Sequence, residues 1–249
     1  MIGIPKNLGH IWIGPRPAPL EWMNTWRDHH PDWSYTLYDN DFLSNFHFQT
    51  QKQIEEYLKR GQYAGVADLM RLEILYENGG LLAPADSICL RNTQNLFPQK
   101  RAYTVYENEF VRGELVSPIQ ACEPGNEFVK TLIEQLKSTD PNDLDEPWIS
   151  TGNLFMAQMI KKLNPEITIF PSQILIPIHF TGVLYEGSDK PYAIQLFSTT
   201  QNTYKKNNVI SRAISYISRV RMKKYNRKKL AIVKSKKLEE GKKRFLNGQ

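Results

Sequence analysis

At 249 residues, with 41% apolar and 11% aromatic side chains, the chain can build one sizeable core and is not a disordered polymer. Its two cysteines, Cys89 and Cys122, lack the spacing of a disulfide framework or zinc site, so reduced buried thiols are expected. The net charge of +6 is unevenly placed: residues 205–249 hold 16 Lys/Arg against two acids, a net +14, and the first 204 residues carry −8.

Met1-Ile2-Gly3-Ile4 leads into a first strand over Ile2–Ile13 with no secretory leader, and no apolar run approaches the roughly 20 residues of a membrane span. A cytoplasmic location is the expectation. Leu20–His29 reads as a helix with Trp22, Met23 and Trp26 on one side, and Ser34–Tyr38 as a second strand. Asp41–Arg60 reads as polar and helical. In Ala67–Asp86, Leu69, Leu72, Leu75 and Tyr76 recur at helical spacing, and Asp68 and Arg71 share another face. Gly79-Gly80 stops that helix, since glycine takes the left-handed position without steric cost. Leu81-Leu82-Ala83 then forms a buried strand with Asp86 at its tip.

Ser87–Leu90 is expected to return into the sheet, with further strands at Ala102–Glu107, Ser117–Cys122 and Ile167–Phe170. Helices are expected at Glu127–Ser138 and Asn153–Leu163. Strands alternating with helices at this spacing indicate a mostly parallel, doubly wound α/β sheet. In the tail, Ile210, Ala213, Ile214, Ile217 and Val220 make an apolar stripe among Arg212, Arg219, Arg221 and Lys223-Lys224, a basic amphipathic helix. Two units are therefore expected, 1–204 as the binding domain and 205–249 as a helical tail. An anionic membrane surface suits the tail best, with a plain solvated helix and nucleic acid as the alternatives.

The motifs leave a choice open. An acid and a base three apart are usually an exposed ion pair, but a strand end beside them is where open α/β sheets bind ligands. No dinucleotide fingerprint, Walker loop or nucleophile elbow is present. His29-His30 has no companions at zinc spacing, and His10 and His179 read as structural.

The order of Ala67-Asp68, Arg71, Leu75 and Gly79-Gly80 resembles the sugar-nucleotide core of the DXD-motif glycosyltransferases. These are the small family-32-like enzymes of GT-A type that share a core with the clostridial glucosylating toxins. His10-Ile11-Trp12-Ile13-Gly14, then Trp26 with Pro31 to Asp39, and later Thr151-Gly152-Asn153 fall in that family's order over about residues 1 to 200. Two positions depart: the DXD triplet is Pro84-Ala85-Asp86, and the family's late His is Gln195.

The resemblance implies a GT-A-type Rossmann-like fold and transfer of a sugar, with retention, from a nucleoside diphosphate (UDP-like) donor. The acceptor would be a glycan or lipid-linked glycan, in surface polysaccharide synthesis. It implies Asp68 and Arg71 on the donor sugar and diphosphate, and Ile11, Trp12 and Tyr38 around the base. Ala85 and Asn153 would belong to the donor-binding set, Asn153 and Gln195 would line the acceptor side, and Asp86 would be the ligand of Mn²⁺ or Mg²⁺. Loss of the first Asp to Pro84 implies weakened metal binding. A catalytically degenerate sugar-nucleotide-binding subunit is the alternative.

Overall fold

The computed structural model describes residues 3–185, 187, 189–197, 239, 240 and 243–245. A six-stranded sheet runs β2-β1-β3-β6-β5-β7, built from β1 (Asn7–Ile11), β2 (Ser34–Tyr38), β3 (Gly80–Leu82), β5 (Ala102–Val105), β6 (Ala121–Cys122) and β7 (Ile167–Phe170). β1 pairs in parallel with β2 and β3, and β5 with β7. β6 alone is reversed, antiparallel to both β3 and β5. Two reversals restore direction, so β1, β2, β3, β5 and β7 all end at the same edge of the sheet.

Helices cover both faces. Successive side chains of a strand point to opposite sides. Leu81 accordingly joins Trp26, Tyr103 and Ala121 in one core, while its neighbour Leu82 joins Leu69, Leu72 and Val129 in the other. The first core lies under α1 (Leu20–His29). The second is covered by α3 (Gln51–Lys59), α4 (Tyr63–Asn78), α5 (Glu127–Ser138) and α7 (Asn153–Leu163), the last preceded by the short α6 (Pro147–Ser150). This is the three-layer α/β architecture that the alternation of elements implied.

The stretch 41–60 departs from expectation by splitting into α2 (Asn40–Asn45) and α3. Phe48 turns inward between them, and the buried Glu73 of α4 accepts from Gln49 N (2.6 Å), Thr50 N (2.9 Å) and Thr50 Oγ1 (2.6 Å). A buried carboxylate satisfied by these donors holds the break open.

The second departure concerns β4 (Ser87–Cys89). It does not return into the main sheet but forms a separate antiparallel ribbon with β8 (Ala193–Gln195). α1 captures it: Cys89 N donates to Thr25 Oγ1 at 2.9 Å and Trp26 Nε1 to Ser87 Oγ at 3.0 Å. No helix among the described residues is long and apolar enough to cross a membrane. The amphipathic stretch 210–220 lies outside the described residues. Nearer the end of the chain, Arg244 pairs with Asp145 (3.0 Å) and Glu146 (3.8 Å), and Phe245 packs on both the main helical core and the Ile149–Leu154 cluster.

Candidate functional site

Helix α4 delivers Asp68 and Arg71 to the edge where the parallel strands end. It stops at Gly79 (φ 60°) and Gly80 (φ 95°), and a Cβ at Gly80 would lie 2.4 Å from the Asn7 carbonyl oxygen. Only glycine allows both the positive φ and this close approach, so the chain turns directly from α4 into β3.

Asp68 and Arg71 are not an exposed surface pair. Both are half-buried, and among the described residues they form no ion pair within 4.0 Å. Arg71 Nη1 instead donates to the Leu82 carbonyl, which ties the guanidinium to the tip of β3. Asp68 Oδ2 accepts from Thr151 Oγ1 at 3.1 Å. A Cβ on Gly152 would come within 3.1 Å of that same oxygen, so the Thr151-Gly152 turn closes tightly around the carboxylate. Burial pushes the Asp68 carboxyl up to about 7, against the opposing pull of Arg71 and Thr151. Burial also lowers Arg71, against the attraction of Asp68. His10, fully buried on β1, is pushed down to about 3 by burial and then by the Arg71 charge. Its imidazole is therefore neutral at physiological pH, as a structural histidine would be.

Past β3 the chain makes a tight turn, Pro84-Ala85-Asp86-Ser87. The Pro84 carbonyl accepts from Ser87 N (3.2 Å) and Ser87 Oγ (2.6 Å). Proline has no N–H for a ladder, so β3 ends here and Asp86 sits at the third turn position. Asp86 Oδ1 accepts from Gln195 Nε2 at 2.5 Å, and the Asp86 carbonyl accepts from Leu196 N at 2.8 Å. The β4–β8 ribbon thus joins two residues picked out of distant sequence.

No group of three or more His, Cys, Asp or Glu gathers for a metal among the described residues. The donor set at the turn is the single Asp86 carboxylate. Mg²⁺ commonly binds through one or two carboxylates plus substrate phosphates and water. That set fits an ion arriving with a diphosphate and does not form a cage closed by protein alone.

Of the three residues expected around a base, Ile11 and Tyr38 are adjacent partners in the β1–β2 register and both are buried in the core. Tyr38 packs edge-on against Phe42 with centroids 4.7 Å apart. Trp12 is half-exposed at the edge, its indole Nε1 donating to the Arg16 carbonyl at 2.8 Å. Ala85 flanks Asp86 in the turn. Asn153 opens α7, with Nδ2 donating to Glu107 Oε2 at 2.6 Å.

Sequence reading missed Glu107, and it named Thr151 only as part of the Thr151-Gly152-Asn153 motif, without a site role. Glu107 follows β5 at the same sheet edge and contacts Asn153 and His179, residues 46 and 72 positions away. Its one sequence signal was an acid directly after an apolar strand, the pattern that marked Asp86. A cleft of about 820 Å³ among the described residues lies elsewhere, lined by Arg60, Gln135, Asp143, Asp145, Ile149 and Arg244 among others. None of the expected site residues faces it.

Residues 20–103, which include Asp68, Arg71, the Gly-Gly turn and Asp86, match the family described as "Glycosyltransferase sugar-binding region containing DXD motif". The chain is 27% identical over 175 residues to an uncharacterized protein of Acanthamoeba polyphaga mimivirus, an alignment covering 67% of this chain and 28% of that relative. The chain therefore corresponds to little more than a quarter of that relative's length. Among solved structures, the PaToxG glycosyltransferase superposes with a TM-score of 0.53 at 16% identity, covering 65% of this chain and 70% of that one. That likeness concerns the fold. Residues 20–103 thus match a DXD-type glycosyltransferase sugar-binding region, and the α/β fold is similar to that of the PaToxG glycosyltransferase.

Proposed function

We propose that this chain is a glycosyltransferase that moves one sugar from a nucleoside diphosphate donor, UDP being the favoured nucleotide, to a glycan or lipid-linked glycan. A role in surface polysaccharide synthesis at the inner face of the cell membrane fits the basic tail. One observation carries the reading: Asp68, half-buried beside Arg71 and enclosed by Thr151-Gly152, stands at the carboxyl edge of a sheet whose tip turn presents Asp86.

A carboxylate in that setting accepts hydrogen bonds from sugar hydroxyls, and a guanidinium fixed to the strand tip offers its remaining N–H groups to donor oxygens. Trp12, half-exposed at the edge, supplies a face for the base. Asp86, held by Gln195, is the residue that would bind Mn²⁺ or Mg²⁺. When bound, such an ion offsets charge on the departing diphosphate. No residue stands out in the sequence as a covalent nucleophile, which favours a front-side displacement in which the leaving phosphate takes the acceptor proton and configuration is retained.

The replacement of the first motif Asp by Pro84 supports a second reading, a subunit that binds sugar nucleotide without turning it over. Titration with UDP and UDP-sugars, with and without Mn²⁺, followed by a donor-hydrolysis assay, separates the two. Binding with turnover supports the enzyme, and binding without turnover supports the degenerate subunit. Absence of any nucleotide binding overturns both.

A further inference from the structure

We infer that Glu107 is a positioning residue that fixes the polarity of the Asn153 amide and so presents an acceptor oxygen to a hydroxyl of the donor sugar. This rests on the nucleotide-sugar reading above and moves Asn153 from the expected acceptor side to the donor sugar. An ionised carboxylate only accepts, so the 2.6 Å contact with Glu107 Oε2 must be made by the Asn153 NH₂ group. The amide oxygen is thereby turned away from Glu107. Among the described residues Asn153 Oδ1 takes no hydrogen bond from the protein, and it is the group left to receive one from a ligand.

Glu107 is itself held. His179 Nδ1 accepts from the Thr181 backbone N–H (3.3 Å) and lies 2.7 Å from Thr181 Oγ1, an arrangement that assigns the imidazole proton to Nε2. That Nε2 lies 3.3 Å from Glu107 Oε1, and the His179 side chain is wholly buried. The Tyr185 hydroxyl lies 3.5 Å from the Glu107 carbonyl and Glu107 N donates to the Leu115 carbonyl, so backbone and side chain are both anchored.

The end of this chain of contacts is the sugar site. Asn153 is two residues beyond Thr151, whose hydroxyl binds Asp68, and directly follows the Gly152 that lies against the same carboxylate. Helix α7 begins at Asn153, and the Asn153 carbonyl accepts from Val116 N (3.2 Å), so its backbone cannot drift. Asp68 and Asn153 thus flank the same Thr151-Gly152 turn, each carrying an acceptor oxygen. That arrangement selects a donor with adjacent free hydroxyls and disfavours one deoxygenated or capped there.

The test reverses the pair. Asn153→Asp sets two carboxylates against each other and should lower kcat/KM for the best UDP-sugar by at least about tenfold. In Glu107→Gln/Asn153→Asp the new amide donates to the new carboxylate, and an oxygen again faces the sugar. Activity should return to within about threefold of wild type. Affinity for free UDP should be unchanged in all variants, because neither side chain touches the diphosphate, and thermal unfolding is followed in parallel. Recovery in the double variant, with UDP affinity constant, supports the inference. Full activity in Asn153→Asp, or a double variant no better than Asn153→Asp while folded, overturns it alone. A wild-type chain that binds UDP but hydrolyses no UDP-sugar shifts the readout to UDP-sugar affinity, where the same pattern is required. A wild-type chain that binds no nucleotide overturns the parent reading and this one with it.

Discussion

Gln195 donates from Nε2 to Asp86 Oδ1 at 2.5 Å, joining residues 109 positions apart across the β4–β8 ribbon. The candidate ion-binding carboxylate is therefore oriented by a late segment of the chain and not by its own turn alone. Asp86→Ala should leave the fold intact, since the residue sits in a turn outside both cores, and should remove Mn²⁺-dependent strengthening of UDP binding. Calorimetry with and without Mn²⁺ checks it, and undiminished metal dependence would sink the assignment. Pro84→Asp adds a second hard oxygen ligand at the turn and should tighten Mn²⁺ binding. An unchanged titration would place position 84 outside the coordination sphere.

Arg71→Lys should not behave as a conservative change. The guanidinium donates to the Leu82 carbonyl and keeps further N–H groups for a ligand, whereas an ammonium is a single point of charge on a flexible stem. A loss of at least about tenfold in kcat/KM, roughly 1.4 kcal/mol, is expected. Wild-type kinetics would reduce Arg71 to a support for the strand tip.

Asp68 makes stability depend on pH in a defined direction. Its folded-state carboxyl titrates near 7 because burial disfavours the charge, well above the ordinary carboxylate range. The fold is therefore favoured while Asp68 is protonated, fully so below about pH 4, and that contribution is lost as pH rises through about 7. Asp68→Asn keeps the shape and removes the charge. At pH 8 it should stabilise by about 1 kcal/mol after solvent screening, a Tm rise of about 2–4 °C, and the gain should vanish at pH 4. Thermal melts of both proteins at the two pH values decide it. Equal differences at both would show that Asp68 is not held at a raised value.

Truncation after Tyr204 should abolish association with anionic vesicles, because it removes a net +14 and an apolar stripe. It should also lower Tm by a few degrees, since Phe245 and the Arg244 pairs with Asp145 and Glu146 go with it. Phe245→Ala/Arg244→Ala separates the effects: Tm should fall while sedimentation with vesicles persists. Equal sedimentation of the full and truncated chains would move the membrane contact to the body.

Local physics made much of this fold readable. Leu20–His29, Ser34–Tyr38, Glu127–Ser138 and Asn153–Leu163 form as their periodicity and stop signals indicated. In α5 the cause is explicit, since Asn126 caps the first turn and Phe128, Leu132 and Leu136 repeat at helical spacing. Gly79-Gly80 was equally legible, because a positive φ asks for a particular residue. Features set by distant partners were hidden. The break at 46–50 depends on Glu73, the fate of β4 on Thr25 and Trp26, and the role of Glu107 on Asn153 and His179. In each case one hydrogen bond spans more than twenty positions, and no local pattern encodes it. Asp68 and Arg71 were found together, yet each binds something else, and spacing alone could not distinguish shared face from shared bond.

The reversed strand β6 has an architectural effect of its own. In a fully parallel sheet the chain leaving β5 at the carboxyl edge would have to cross back over a face before starting its next strand. Because β6 runs the other way, residues 106–120 leave and re-enter at the carboxyl edge itself, over the candidate site. This segment carries Glu107 at its start and an exposed Phe110 at its tip. Insertions at its exposed Arg112-Gly113 turn would leave strand pairing and helix packing undisturbed. Lineages carrying this scaffold could thus retune what docks above the donor by changing one hairpin-like connection, with little risk to foldability.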